Sequence, residues 1–343
     1  MLVRLSHLGD VVHALPVFHA LREAYPAAEV GWICQPEFAG LLEGLPGLSR
    51  VFRFQRRDGV GAWRRLYREL RGFRPELAVD AQGNFKSAFA TWCTRAPRRV
   101  GLARADWRER AASLLVNETA PPAQGLHAIH RMAALARHLG GGEPLRCDPG
   151  LTPEEVERGE RLAAERLPGE GAALLHLSAP GDVRSWAPGH YLELVRALRR
   201  ADHPVLVLSG PAEESLGQEL ARELGSDPGI GHWVGQKHLR ELAAFFAAAG
   251  RRGSRMLCCD SGPMHLAAAS GLPVLELTGP RDPRRTGPWP PPSLVGKASP
   301  HRVLWASDLP DCAPCLSRRC RHPGGPVCME RIRPEEAARL LVG

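Results

Sequence analysis

Long hydrophobic runs are missing from this chain. No stretch of eighteen or more apolar residues exists, so no segment reads as a membrane-spanning helix. The start also lacks a basic region followed by an apolar one. Arg4, His7 and Asp10 interrupt MLVRLSHLGD, and no secretory signal is read there. Aromatic residues are only 6% of the composition, too few for base-stacking platforms, and no nucleic-acid-binding motif accompanies them. The fingerprint G-x-G-x-x-G is absent as well, which disfavours a dinucleotide-dependent oxidoreductase. No short-period repeat or low-complexity tract appears. For a chain without an export signal, the nine cysteines are expected as thiols or metal ligands rather than disulfides.

What is present supports packed cores. The apolar fraction is 44%, and 343 residues suggest two domains of ordinary size. The net charge of +8 is unevenly placed. Residues 1–150 hold 21 Lys and Arg against 14 Asp and Glu, while the remainder holds 24 against 23. The excess concentrates in 50–110, with 16 basic residues against 6 acidic. Arginines on solvated faces would explain this blandly. The sharper expectation is a face for an anionic partner: a phosphorylated lipid, an acidic sugar or, least supported, nucleic acid.

Short apolar runs alternate with amphipathic stretches. Residues 2–5, 30–34, 77–79 and 100–102 read as buried strands, and 11–25, 62–72 and 85–94 as helices. The pattern restarts after GGGEPLRCDPG (140–150). Strands are then expected at 172–177, 205–208, 256–259 and 274–277, and helices at 189–200, 213–224, 238–249 and 263–270. Such alternation implies parallel sheets covered by helices on both faces. The expected architecture is α/β: two Rossmann-like, doubly wound domains, 1–150 and 151–330, facing across a cleft, with a C-terminal helix in 331–343.

Ligands of such sheets bind beyond the carboxyl ends of the strands, so four loops carry the functional reading. In SHLGDVVHALP, Gly9 permits a turn and Asp10 opens a helix, either as an ordinary N-cap or as a general base. In LSAPGDVRSWAP, Ser178 and Arg184 at a helix entrance suit a diphosphate, and a surface loop equally. In LSGPAEES, Glu213 would accept ribose hydroxyls or merely favour a helix dipole. In CDSGPMHLAAASGLPVLELTGPRDPRRTGP, Asp260 precedes a helix whose first N–H groups, Ser261 to Met264, would face an anion, with His265, Thr278 and Arg281 nearby.

These stretches, with VDAQGNFKSA and CAPCLSRRC, resemble in order the ADP-heptose:lipopolysaccharide heptosyltransferases, glycosyltransferase family 9, from residue 2 to about 335. The resemblance implies the GT-B fold and inverting transfer of a heptose from ADP-heptose to a sugar hydroxyl, without a cofactor. By the same resemblance Asp10 is the base. Ser178, Arg184, Glu213, Asp260, Ser261, Gly262, Met264 and His265 hold the donor. Gln82, Asn84, Lys86 and the arginines around 95–110 meet the acceptor, an anionic lipopolysaccharide core on Kdo-lipid A. The place implied is cytoplasmic, loosely attached to the inner face of the inner membrane. A nucleotide-sugar epimerase on the same scaffold, another GT-B transferase, or a non-catalytic nucleotide-sugar binder would share many of these loops. Finally, DCAPCLSRRCRHPGGPVCM (311–329) sets Cys312, Cys315, Cys320 and Cys328 at C-x2-C-x4-C-x7-C. That spacing is expected for a structural zinc or iron site, with free thiols as the competing reading.

Overall fold

The apolar runs become the inner strands of two all-parallel sheets. A computed structural model describes residues 1–142, 146–291, 299–315, 317 and 319–342. The chain divides into two compact units, Met1–Gly150 and Leu151–Gly343. Unit 1 holds β1 (Leu2–Val3), β2 (Gly31–Cys34), β3 (Arg50–Arg53), β4 (Leu77–Asp80), β5 (Arg98–Gly101) and β6 (Glu118–Thr119). Their order across the sheet is β3-β2-β1-β4-β5-β6, every neighbour parallel.

Unit 2 repeats the plan with β7 (Ala173–His176), β8 (Val205–Leu208), β9 (Ile230–Trp233), β10 (Arg255–Cys259), β11 (Val274–Thr278) and β12 (Arg302–Trp305). Its order is β12-β11-β10-β7-β8-β9, again all parallel. Both sheets have the doubly wound order, which reverses direction at one point: between β1 and β4 in unit 1, and between β7 and β10 in unit 2. At such a reversal the following loops diverge to opposite faces and leave a crevice for a ligand.

The inner strands were legible because they are buried on both faces. The outer strands β3, β6 and β9 carry no comparable apolar run, and the run Val303–Trp305 of β12 was not among the expected strands. Arg50, Arg53 and Thr119 are exposed, and every residue of β9 is half-buried. The helix expected at 11–25 is two helices, Leu8–His13 and Leu15–Ala24. Pro16 sits in the first turn of the second, where its missing N–H costs nothing. Helices Pro36–Leu42, Ala128–His138 and Pro153–Arg166 complete the pattern. The last starts on a capping box in which Thr152 and Glu155 exchange side chain-to-backbone bonds of 3.3 and 2.9 Å.

Each unit has its own core. In unit 1, Val3, Ile33, Phe52, Phe54, Leu66 and Leu70 pack together. In unit 2, Trp186 and Tyr191 pack edge to face at 5.1 Å among Leu175, Val207, Leu257 and Leu275. The C-terminal helix, Pro334–Val342, packs against Pro188–Arg200. Its final carbonyls accept bonds from Arg255 and Arg302, cations where a helix C-terminus favours them.

Candidate active site

In unit 1 the loops after β1 and β4 flank the reversal point and are tied together. The Leu5 N–H donates to Gln82 Oε1 at 2.7 Å, and the Arg4 guanidinium donates to the Ala81 carbonyl. Asp10 is not the N-cap that its place suggested. The cap is His7, without a side-chain capping bond, and Asp10 is the third residue of Leu8–His13. Gly9 lies inside that helix, so the turn falls before it. The Asp10 carboxylate is partly exposed, with Oδ1 2.5 Å from Arg4 and Oδ2 3.5 Å from the His7 ring. Burial alone would raise this carboxyl; Arg4, the His7 hydrogen bond and His13 outweigh it and hold the group well below the usual carboxylate range. Asp10 therefore stays ionised, aimed by a cation behind it.

The acceptor candidates divide. Gln82 gives its carbonyl oxygen to Leu5, and Asn84 caps Phe85–Cys93 in a capping box with Ser87. Lys86 is exposed on the same helix. Asp80, at the end of β4, is a residue the sequence did not single out. It is fully buried, and its Oδ1 accepts the N–H groups of Gln82 and Gly83 at 2.8 and 2.9 Å. Burial pushes its carboxyl up to about 6, against those bonds, the Ser87 hydroxyl and Arg4. The folded chain therefore keeps a proton on Asp80 that the unfolded chain releases. Stability falls as pH rises through about 4 to 6 and stays lower above. Asp80→Asn, which keeps an oxygen for both N–H groups, is expected to stabilise by about 1–3 kcal/mol at pH 7 and to be neutral at pH 4. Denaturant unfolding at the two pH values checks this; an equal loss at both would contradict it.

In unit 2 the loops after β7 and β10 meet at the reversal point. Ser178 braces the first: its Oγ accepts the Trp186 N–H at 3.0 Å and lies 3.1 Å from the Tyr191 hydroxyl. Arg184 crosses to the second loop, with Nη1 2.9 Å from the Asp260 carbonyl and 3.3 Å from Asp260 Oδ2. Its Nε and Nη2 form a two-pronged pair with Asp182, both at 2.9 Å. Asp182 was not read from the sequence, although G-D-x-R hints at an acid two residues before the cation. The bond to Asp182 holds that carboxyl below its ordinary range, and Arg184 is raised in turn.

Beyond Asp260 the chain enters the helix Gly262–Ala269 with Ser261 as N-cap. The Ser261 Oγ is buried and has no hydrogen-bond partner, which is costly unless a ligand supplies one. The first-turn N–H groups of Gly262 and Met264 have no partner within the helix, and Pro263 has none to give. Met264 offers its backbone alone, since its side chain is fully buried. His265 Nε2 lies 3.9 Å from Asp260 Oδ1. The cluster thus gathers Arg184, Asp260, Ser261, Gly262, Met264 and His265.

Glu213 lies at the end of β8 in a short 3-10 turn, where its Oε2 accepts the Gly210 N–H at 3.1 Å; burial raises its carboxyl. Arg281 donates to the carbonyls of Cys315 and Ser317 at 2.7 and 3.3 Å, gripping the cysteine-rich loop, and its charge also acts on the Asp182 carboxylate. A cavity of about 380 Å³ opens beside Ser178, Asp182 and Trp186, with Leu216, Cys320 and Met329 on its other wall. All four cysteines of the loop are free thiols. Burial and the neighbouring Cys312, Cys315 and Cys320 push the Cys328 thiol up. Among the described residues, no three His, Cys, Asp or Glu side chains converge in a metal-holding arrangement, and no helix is long and apolar enough to cross a membrane.

Comparison with known proteins gives a consistent result. The model of glycosyltransferase family 9 (heptosyltransferase) matches residues 63–303. Lipopolysaccharide heptosyltransferase 1 of Pseudomonas aeruginosa is 28% identical, over 99% of this chain and 96% of its own. The solved E. coli heptosyltransferase WaaC with ADP superposes with a TM-score of 0.72 at 22% identity, covering 99% of this chain and 98% of that one. A family 9 glycosyltransferase from Veillonella parvula gives a TM-score of 0.78 at 17% identity, covering 99% and 96%. The GT-B fold class expected from the sequence is therefore the one found.

Proposed function

Because the chain belongs to glycosyltransferase family 9, the heptosyltransferases, we propose that it moves a heptose from ADP-heptose to a hydroxyl of a lipopolysaccharide inner core. Unit 2 holds the donor and unit 1 the acceptor. Asp10 takes the proton from the acceptor hydroxyl as that oxygen attacks the anomeric carbon. The bond from that carbon to the diphosphate breaks, its electron pair leaves on ADP, and the configuration inverts. Gln82, Asn84, Lys86 and the arginines of 95–110 meet the anionic acceptor, and Glu213 meets the ribose of the donor.

The observation that carries this reading is the buried, unpartnered hydroxyl of Ser261, at a helix N-terminus beside Arg184. It is the setting that a diphosphate oxygen completes. Charge that develops on the leaving group meets Arg184, Ser261 and the Gly262 and Met264 N–H groups, so the chemistry asks for no cofactor. We assign the four-cysteine loop a bracing role outside the reaction. Four thiolates are the donor set of a structural zinc or iron, and Cys312, Cys315 and Cys320 lie near enough to act on the Cys328 thiol. Metal content of the purified chain decides that point.

The reading is tested with a panel of ADP- and UDP-sugars. ADP-heptose is expected to raise the melting temperature, and ADP release should require an added core acceptor. A shift with UDP-sugars alone would overturn the donor. Sugar turnover without acceptor would make the chain an epimerase.

A further inference from the structure

The last residue of β7, His176, is a buried imidazole that no step of the transfer uses. It stands where the sheet of unit 2 reverses, two residues before Ser178. Its backbone is fixed from both sides: Leu208 of β8 is its register partner, and the Tyr191 hydroxyl lies 3.5 Å from its carbonyl. Only 6% of the residue is exposed. The ring Nδ1 lies 2.8 Å from the Leu177 carbonyl. A carbonyl can only accept, so Nδ1 carries a hydrogen and donates it there. Burial lowers the ring to about 4, so at neutral pH it holds no second hydrogen. Nε2 is therefore a lone pair, able to accept and unable to donate. Among the described residues no group donates to it.

The strand order narrows what such an acceptor meets. In the proposed function the diphosphate lies against the loop that follows β10, and the ribose against Glu213, beyond β8. The order across the sheet is β10-β7-β8, so a nucleotide that reaches both loops passes over the end of β7. A phosphate oxygen has only lone pairs to offer and is repelled by Nε2, whereas a ribose hydroxyl has a hydrogen to give. Glu213 already accepts the Gly210 N–H on Oε2, which leaves Oε1 for one of the two ribose hydroxyls. The other needs an acceptor from a neighbouring strand.

We propose that His176 is a further donor-binding residue, whose Nε2 accepts a hydrogen bond from a ribose hydroxyl of the nucleotide and so selects ribonucleotides over deoxyribonucleotides. This role rests on the reading of unit 2 as the donor site and adds to it a residue and a preference. A buried acceptor without a donor is costly, and the hydroxyl hydrogen removes that cost. A deoxynucleotide leaves the lone pair unmet, which is how a site built around a hydroxyl rejects a ligand that lacks it.

Calorimetric titration of ADP and of its 2′-deoxy and 3′-deoxy forms into the wild type, His176→Phe and His176→Gln tests it. His176→Phe keeps a ring and removes the acceptor, and should bind ADP about 5–10-fold more weakly than the wild type. For one of the two deoxy forms the wild type and His176→Phe should bind alike, because ring and hydroxyl act as a pair. His176→Gln places an amide oxygen near the position of Nε2 and should recover ADP binding to within about 3-fold. The proposal is overturned if His176→Phe binds ADP as the wild type does. It is overturned equally if the variant loses the same factor for ADP and for both deoxy forms, the mark of a merely structural ring. The wild type alone also decides, whether or not the variant folds: equal affinity for ADP and both deoxy forms overturns the proposal. Absence of ADP binding by the wild type removes the donor reading itself, whereas normal wild-type binding that His176→Phe retains removes only the role of His176.

Discussion

Asp10→Ala is expected to lower the rate of transfer by about 10²–10⁴-fold, the contribution of a positioned base, while the donor binds as before. The loss follows from the place of the carboxylate. It is partly exposed, ionised, and held from behind by Arg4 at 2.5 Å. Because Arg4 and the neighbouring histidines keep the group below the usual carboxylate range, its own titration puts no acid limb on the transfer rate above about pH 4. Asp10→Asn preserves an oxygen for Arg4 and so separates loss of the base from disturbance of the loop. Equal loss in both variants, with unchanged melting temperature, assigns the effect to proton transfer. Transfer at the wild-type rate in either would remove Asp10 from the reaction.

The second large effect is expected from Arg184→Ala. The guanidinium is pinned by Asp182 through two bonds of 2.9 Å, and it touches Asp260. That arrangement holds it in place before any donor arrives, so little reorganisation is needed as charge develops on the diphosphate. Loss of one such preorganised donor typically lowers kcat by about 10²–10³-fold. Donor affinity should fall as well, because in the proposed function Arg184 meets the diphosphate in the ground state too. Arg184→Lys keeps the charge but not the two-pronged pair with Asp182, and should fall between wild type and alanine. A fall in affinity with kcat unchanged would confine Arg184 to binding. Steady-state kinetics with ADP-heptose varied at fixed acceptor separates the two.

Much of the architecture was legible because the inner strands of a covered parallel sheet are apolar on both faces. Stretches such as LLHL before Ser178 and LCC before Asp260 announce themselves. Edge strands do not. RVFR (50–53) and IGHW (230–233) lie partly open to solvent and read as loop. The break at Ala14 was hidden because apolar periodicity continues from Val11 to Leu21 through the junction.

The candidate site residues divide by the same logic. Those fixed by local sequence, such as Ser261 at a strand-to-helix turn, were readable. Arg4, Asp80 and Asp182 were not, since their importance comes from tertiary neighbours: Arg4 behind Asp10, Asp80 beneath the β4 turn, Asp182 clamping Arg184. Arg281 follows β11 in a loop rich in chemistry, and its bonds to the carbonyls of Cys315 and Ser317 join residues too far apart in sequence to be read there.

The central claim separates the two tasks: unit 1 supplies the proton acceptor and unit 2 holds the leaving diphosphate. Calorimetric titration of ADP-heptose into Asp10→Ala and Arg184→Ala, side by side with the wild type, tests it most directly. The account predicts a wild-type Kd for the first and a Kd weakened by about 10-fold or more for the second, as loss of a charged hydrogen bond requires. The reverse pattern, with donor affinity lost at residue 10 and kept at residue 184, would contradict it.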